Sequence, residues 1–215
     1  MALFICGTDT DAGKTHAAAA ILLRYHASAK NLRYWKPIQT GSESDDDCAF
    51  ARTLSGLSKS YFLPTSFLYS KPLSPHRAAE LDGADCPTVS ELVKKYKKYA
   101  ADGALLIEGA GGLLVPINRK ETWVDFLLET GASVVLTARS GLGTINHSLL
   151  TLRELERNRI DVVGIIYFGP ENLDNMKTIE DFSGIKRIGQ LSSGVGSLEK
   201  AASLLDPDSL LASLF

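Results

Sequence analysis

Gly7-Thr8-Asp9-Thr10-Asp11-Ala12-Gly13-Lys14-Thr15 is the stretch whose reading decides the fold. It follows the apolar run Ala2-Leu3-Phe4-Ile5-Cys6 and leads into Ala17-Ala18-Ala19-Ala20-Ile21-Leu22-Leu23, so a buried strand turns into a helix here. Counted from Thr8, the spacing is that of a phosphate loop, with threonine in place of the usual first glycine and a glycine one position earlier. Consecutive backbone N–H groups and the positive end of the following helix form a nest for a polyphosphate. Gly13 lets the backbone come close, Lys14 reaches the terminal phosphates, and the Thr15 hydroxyl is placed for a bound magnesium ion.

Bulk properties agree with a small-molecule partner. The 215 residues and 45% apolar content suit one α/β domain with a sizeable core, and residues 1–215 are expected to form a single unit. A net charge of -2 provides no basic surface for nucleic acid or an anionic membrane. Cys6, Cys48 and Cys86 show neither a disulfide framework nor paired metal-ligand spacing, which fits a reducing cytoplasm. No basic leader precedes the first apolar run, and no apolar stretch nears the length of about 20 that spans a bilayer.

Outward from the loop, strand and helix signals alternate. Leu32-Arg33-Tyr34-Trp35 reads as a strand ending at Lys36-Pro37-Ile38-Gln39-Thr40-Gly41, and ligands of open α/β sheets collect at such strand ends. Lys36 and Thr40 therefore emerge beside the phosphate loop. A helix is expected over Cys48–Leu54, with Asp47 near its start as either its cap or a magnesium ligand. Residues 61–87 carry four prolines and read as an irregular excursion across the active face, including Ser74-Pro75-His76. Thr88 to Tyr99 has the apolar stripe Val89, Leu92, Val93 and Tyr96 of an amphipathic helix, its lysines forming a solvated face.

Ala104-Leu105-Leu106-Ile107 then reads as a buried parallel strand running into Glu108 and a glycine-rich turn, Gly109-Ala110-Gly111-Gly112. A carboxylate in that place can hold magnesium directly or through water. Helix Trp123 to Glu129, strand Ala132 to Thr137, helix Thr144 to about Arg157 and strand Ile160 to Phe168 continue the alternation. The glycines before Thr144 open a helix start that suits a second anion. Lys186 to Gly189 and a helical Ser197 to Leu205 close the domain. The whole predicts a P-loop NTPase-like fold: doubly wound, mostly parallel, with helices on both faces.

The blocks Gly7 to Thr15, Lys36 to Gly41, Ser74-Pro75-His76, Glu108 to Gly112 with Val115-Pro116, and Gly141-Leu142-Gly143-Thr144-Ile145-Asn146-His147 stand in the order and spacing of the dethiobiotin synthetases, which the chain resembles over about residues 2–168. The resemblance implies an ATP-dependent cyclo-ligase of biotin synthesis that joins carbon dioxide to 7,8-diaminopelargonic acid through a carbamate and a carbamic-phosphoric anhydride. It implies Lys36 and Lys14 as catalytic cations, Thr15, Asp47 and Glu108 around magnesium, and Asp46 as the alternative to Asp47. Asp11, Ala12, Gly13, His16, Gly109, Ala110, Gly111, Phe168, Leu191, Ser192 and Ser193 are implied at the nucleotide. Thr10 and Thr40 are implied at the substrate, whose carboxylate would be received by Gly143, Thr144, Ile145 and Asn146 of the opposite subunit in a homodimer. Phe168 and Leu191-Ser192-Ser193 depart from the family's usual asparagine and proline-containing segment, so weaker discrimination among nucleoside triphosphates is expected.

Two other classes use the same loop. A small-molecule kinase would transfer phosphate without needing carbon dioxide. A partitioning or signalling ATPase would need a partner surface and a conformational relay. Lys36→Ala or Lys36→Gln is expected to fold normally and to lose most ring closure.

Overall fold

The computed structural model describes residues 2–27, 32–42, 46–192, 202, 203 and 205. Along the chain run β1 (Ala2–Gly7), α1 (Lys14–Ala27), β2 (Leu32–Trp35), β3 (Ile38–Gln39), α2 (Asp47–Ser55), a 3-10 turn (Lys59–Tyr61), β4 (Phe67–Leu68) and α3 (Pro75–Asp82). They are followed by α4 (Val89–Ala100), β5 (Ala104–Gly112), α5 (Trp123–Thr130), β6 (Ser133–Arg139), α6 (Thr144–Arg157), β7 (Val162–Phe168), α7 (Leu173–Ser183) and β8 (Arg187–Leu191).

Six strands form one parallel sheet in the order β2-β5-β1-β6-β7-β8. The order reverses beside β1, so the crevice above the β1 tip is where a doubly wound sheet takes its ligand. Side chains alternate across each strand. Leu3 and Ile5 face α1, whose Ala17 to Leu22 are buried. Phe4 and Cys6 face α4 to α7, where Leu92, Trp123, Phe126 and Leu155 are buried. Apolar strands buried on both faces explain the continuous runs in the sequence. Among the described residues no helix is long and apolar enough to cross a membrane.

Two local expectations change and a third is left largely outside the described residues. The glycine-rich segment after Glu108 is not a turn: β5 continues to Gly112, with Ile5 opposite Glu108 and Gly7 opposite Gly112. Gly112 lies against the phosphate loop, where a β-carbon would stand in ordinary contact, 3.4 Å from the Gly7 carbonyl. Residues 61–87 are more regular than their prolines suggest. β3 and β4 pair in parallel, and α3 begins with Pro75 in its first turn, where a missing N–H costs nothing. The expected helix at Ser197 to Leu205 lies largely outside the described residues, although Ala202 and Leu205 are buried against the α1 face.

Candidate active site

The phosphate loop is built by two left-handed residues. Asp11 has φ 56° and Gly13 φ 82°, which turns successive N–H groups inward before α1 starts at Lys14. Phe168 lies on Gly13, since a β-carbon there would stand 2.3 Å from the ring, and Ala12 is fully buried beneath the loop. Thr8 N–H donates to the Thr137 carbonyl (2.9 Å), tying the loop to β6, and the exposed Arg139 side chain pairs with Asp9 at 3.0 Å. Lys14 folds back so that its ammonium donates to the Asp9 carbonyl at 2.9 Å.

Lys36 is brought to the same side of the sheet. It leaves the end of β2, is 3% exposed, and its Nζ lies 2.8 Å from Glu108 Oε1 and 2.5 Å from Asp47 Oδ2. Thr15 Oγ1 donates to Glu108 Oε1 at 2.9 Å, and Tyr34 donates to Oε2 at 2.8 Å. Glu108 is fully buried on β5, with β2 on one side and β1 on the other. A buried carboxylate needs such a full set of donors to remain in place. The three neighbouring aspartates also separate. Asp46 caps α2 by accepting from the Ala49 N–H, whereas Asp47 turns to Lys36; Asp45 lies outside the described residues.

Charges at the tip are partly matched. Burial pushes the Lys36 amine down, but the Glu108 and Asp47 carboxylates outweigh it and hold Lys36 above the ordinary lysine value. Burial, followed by the positive charge of Lys36, holds Lys14 below it. Burial likewise lowers His16, whose ring lies between Phe168 (4.6 Å between centroids) and Phe50 (5.2 Å). The opening above is a cleft of about 850 Å³. Thr10, Asp11, Gly13, Lys14, Thr15, His16, Lys36, Thr40, Asp47, Glu108, Ala110, Gly111 and Phe168 line it, and Pro72 to Pro75 close one side.

Not every expected residue joins them. Gly109 faces the core, where a β-carbon would meet the Phe4 ring at 2.6 Å, because odd and even residues of β5 point to opposite faces. Leu191 is 1% exposed and packs on the α1 face. Ser192 is exposed after β8, and Ser193 lies outside the described residues. Gly143, Ile145 and Asn146 line a separate surface cavity of about 450 Å³ with Leu142, Leu149, Leu150, Arg153 and Asn175, while Thr144 is buried. Sequence reasoning missed Phe50 and Gln39 at the cleft and Tyr34 behind it. Tyr34 stands two residues before Lys36 on one strand, so period-2 alternation held the signal; Phe50 follows Asp47 by three on a helix.

Thr15, Asp47 and Glu108 offer oxygen donors of the kind magnesium takes, and the ammonium already lodged between the two carboxylates shows that a positive charge fits there. Among the described residues these donors are not joined by a third acid, histidine or cysteine.

Comparison with known proteins agrees with this arrangement. Residues 1–195 match a family described as an AAA domain. The sheet resembles that of the cell division ATPase MinD of Pyrococcus furiosus, with a TM-score of 0.56 at 12% identity over 94% of this chain and 88% of that one. It also resembles chloroplast FtsY of Physcomitrella patens, with a TM-score of 0.51 at 16% identity over 96% of this chain and 65% of that one. These likenesses concern the fold. The ATP-dependent dethiobiotin synthetase of Brucella anthropi is 41% identical over 206 residues, 96% of this chain and 89% of the relative. With Lys14, Lys36, Asp47 and Glu108 gathered at one strand-tip cleft and this likeness running nearly end to end, the chain belongs to the ATP-dependent dethiobiotin synthetase family.

Proposed function

We propose that the protein forms dethiobiotin from 7,8-diaminopelargonic acid, carbon dioxide and ATP. The observation that carries this reading is Lys36: a buried ammonium held by two carboxylates at the edge of a phosphate loop, on the cleft side of the sheet. Such a cation serves a reaction that brings several anions together.

One amine of the substrate attacks carbon dioxide and loses a proton, giving a carbamate. A carbamate oxygen attacks the γ-phosphorus and ADP leaves, so a carbamic-phosphoric anhydride forms. The second amine attacks the carbamate carbon, phosphate departs, and the ureido ring closes. Asp11 to His16 bind the triphosphate, with Lys14 at its β and γ phosphates. Lys36 offsets charge on the carbamate and on the transferred phosphoryl group, and the cleft walls hold the reacting atoms in line. Thr15, Asp47 and Glu108 would hold magnesium, which supplies positive charge to the phosphate oxygens when bound. Thr10 and Thr40 face the substrate from the cleft wall.

Gly143 to Asn146 and the neighbouring Leu142, Leu149 and Leu150 form a patch on which a second copy would seat, placing the start of α6 against the partner's substrate carboxylate. The free thiols of Cys6, Cys48 and Cys86 fit a cytoplasmic enzyme. Incubation with diaminopelargonic acid, labelled bicarbonate, magnesium and ATP, followed by mass analysis, should yield the labelled cyclic urea. Phosphate release that does not depend on bicarbonate would point instead to a kinase or a switch ATPase.

A further inference from the structure

Glu108 divides its two oxygens. Oε1 faces the cleft, where Lys36 Nζ at 2.8 Å and Thr15 Oγ1 at 2.9 Å meet it. Oε2 faces the protein and accepts the Tyr34 hydroxyl at 2.8 Å. Tyr34 is fully buried on β2, its ring against Phe62 at 5.5 Å, so the phenol has no room to swing away.

We propose that Tyr34 is a specificity-determining positioning residue: by anchoring Oε2 of Glu108 it holds the carboxylate in the one rotation that turns Oε1 alone to the cleft, and so favours magnesium over calcium. The proposal rests on the reading of Glu108 as a magnesium ligand. Magnesium takes about six ligands at roughly 2.0–2.1 Å and accepts one oxygen from each carboxylate, whereas calcium takes about 6–8 at 2.3–2.6 Å and often grips both oxygens of one carboxylate. A glutamate held in a rotation that presents one oxygen suits the smaller ion. Tyr34 never needs to touch the metal; it acts through the rotation of the Glu108 carboxylate.

A purely structural tyrosine would also hydrogen-bond a buried carboxylate, and removing it would lower stability without altering the preference between two divalent ions. The two roles therefore separate in a ratio. With a non-hydrolysable ATP analogue carrying a fluorescent ribose label, the dissociation constants of magnesium and calcium are titrated for wild type, Tyr34→Phe and Glu108→Gln. Tyr34→Phe should lower the calcium-to-magnesium ratio of dissociation constants by about tenfold, the scale on which partners of metal-holding groups act. The ratio does not depend on the folded fraction, so a destabilised variant remains informative. If Glu108→Gln weakens magnesium binding while Tyr34→Phe leaves the ratio unchanged, the positioning role is wrong and the ligand reading stands. If Glu108→Gln leaves magnesium binding unaltered, the ligand reading itself falls, and this proposal with it.

Discussion

Lys36→Met tests the site through stability as well as chemistry. The variant keeps the side-chain volume but removes the ammonium that spans Asp47 and the fully buried Glu108. Removing one partner of a buried ion pair costs about 3–5 kcal/mol. Release of Lys14 from the repulsion of Lys36 offsets part of this, so the lower half of that range is expected. For a chain of this size each kcal/mol moves the melting temperature by roughly 2–4 °C, which gives a fall of about 6–16 °C. The variant is still expected to fold, with a lower melting temperature, because the ammonium holds two carboxylates as well as facing the cleft. Differential scanning calorimetry without nucleotide measures the fall. Magnesium should then stabilise the variant more than it stabilises wild type, because the ammonium no longer competes with it for the two carboxylates. At about 10 mM magnesium and a dissociation constant of about 1 mM, the gain is about 1.4 kcal/mol, or roughly 3–6 °C. The wild-type amine sits above 10.5, so its contribution is complete below that pH and is lost as pH rises through the folded value. The difference between wild type and variant should accordingly be flat over roughly pH 6–9 and narrow above 10.5. A variant that melts with wild type and ignores magnesium would refute the reasoning.

Gly13→Ala places a β-carbon at φ 82° and 2.3 Å from Phe168 Cγ; left-handed strain and overpacking together should cost about 2–4 kcal/mol by urea melts, and adding Phe168→Ala should recover only the overpacking share. Phe168 and His16 present rings rather than hydrogen-bonding amides at their end of the cleft, so steady-state turnover with ATP, GTP and CTP should agree within about tenfold, and strict use of ATP would overturn this. Leu150→Asp puts a charge on the exposed apolar patch beside Gly143; sedimentation should show monomer in place of dimer, with the KM for diaminopelargonic acid raised and nucleotide affinity kept.

Features set by contiguous residues were legible in the sequence. The phosphate loop is one run of backbone whose turns depend on Gly13 and on Lys14 opening α1, so spelling and geometry coincide. The central strands were legible because burial on both faces makes them continuously apolar. What escaped depends on pairing or on neighbours far along the chain. The glycines after Glu108 look like a turn, yet β5 continues through them to Gly112, which pairs with Gly7 of β1 across a register shift, a case of tertiary context overriding propensity. Asp46 and Asp47 are identical letters, and only the direction of α2 decides which one caps the helix and which one reaches Lys36. Ser74-Pro75 did carry a helix-start signal, obscured by the other prolines around it.

The misread end of β5 bears directly on the chemistry. A carboxylate at the mouth of a glycine turn would wander with the turn. Glu108 instead sits within a strand flanked on both sides by parallel partners, with Tyr34 from β2 and Thr15 from α1 fixing its two oxygens. Positions held by packing and by a second layer of hydrogen bonds stay within about 0.5 Å of their working geometry. The reacting partners are all anionic or become so, and a misplaced counter-charge would favour their separation over their reaction. In the proposed reaction a rigid acid, holding the buried Lys36 at 2.8 Å, would keep that positive charge aimed at the place where carbamate and phosphoryl oxygens converge.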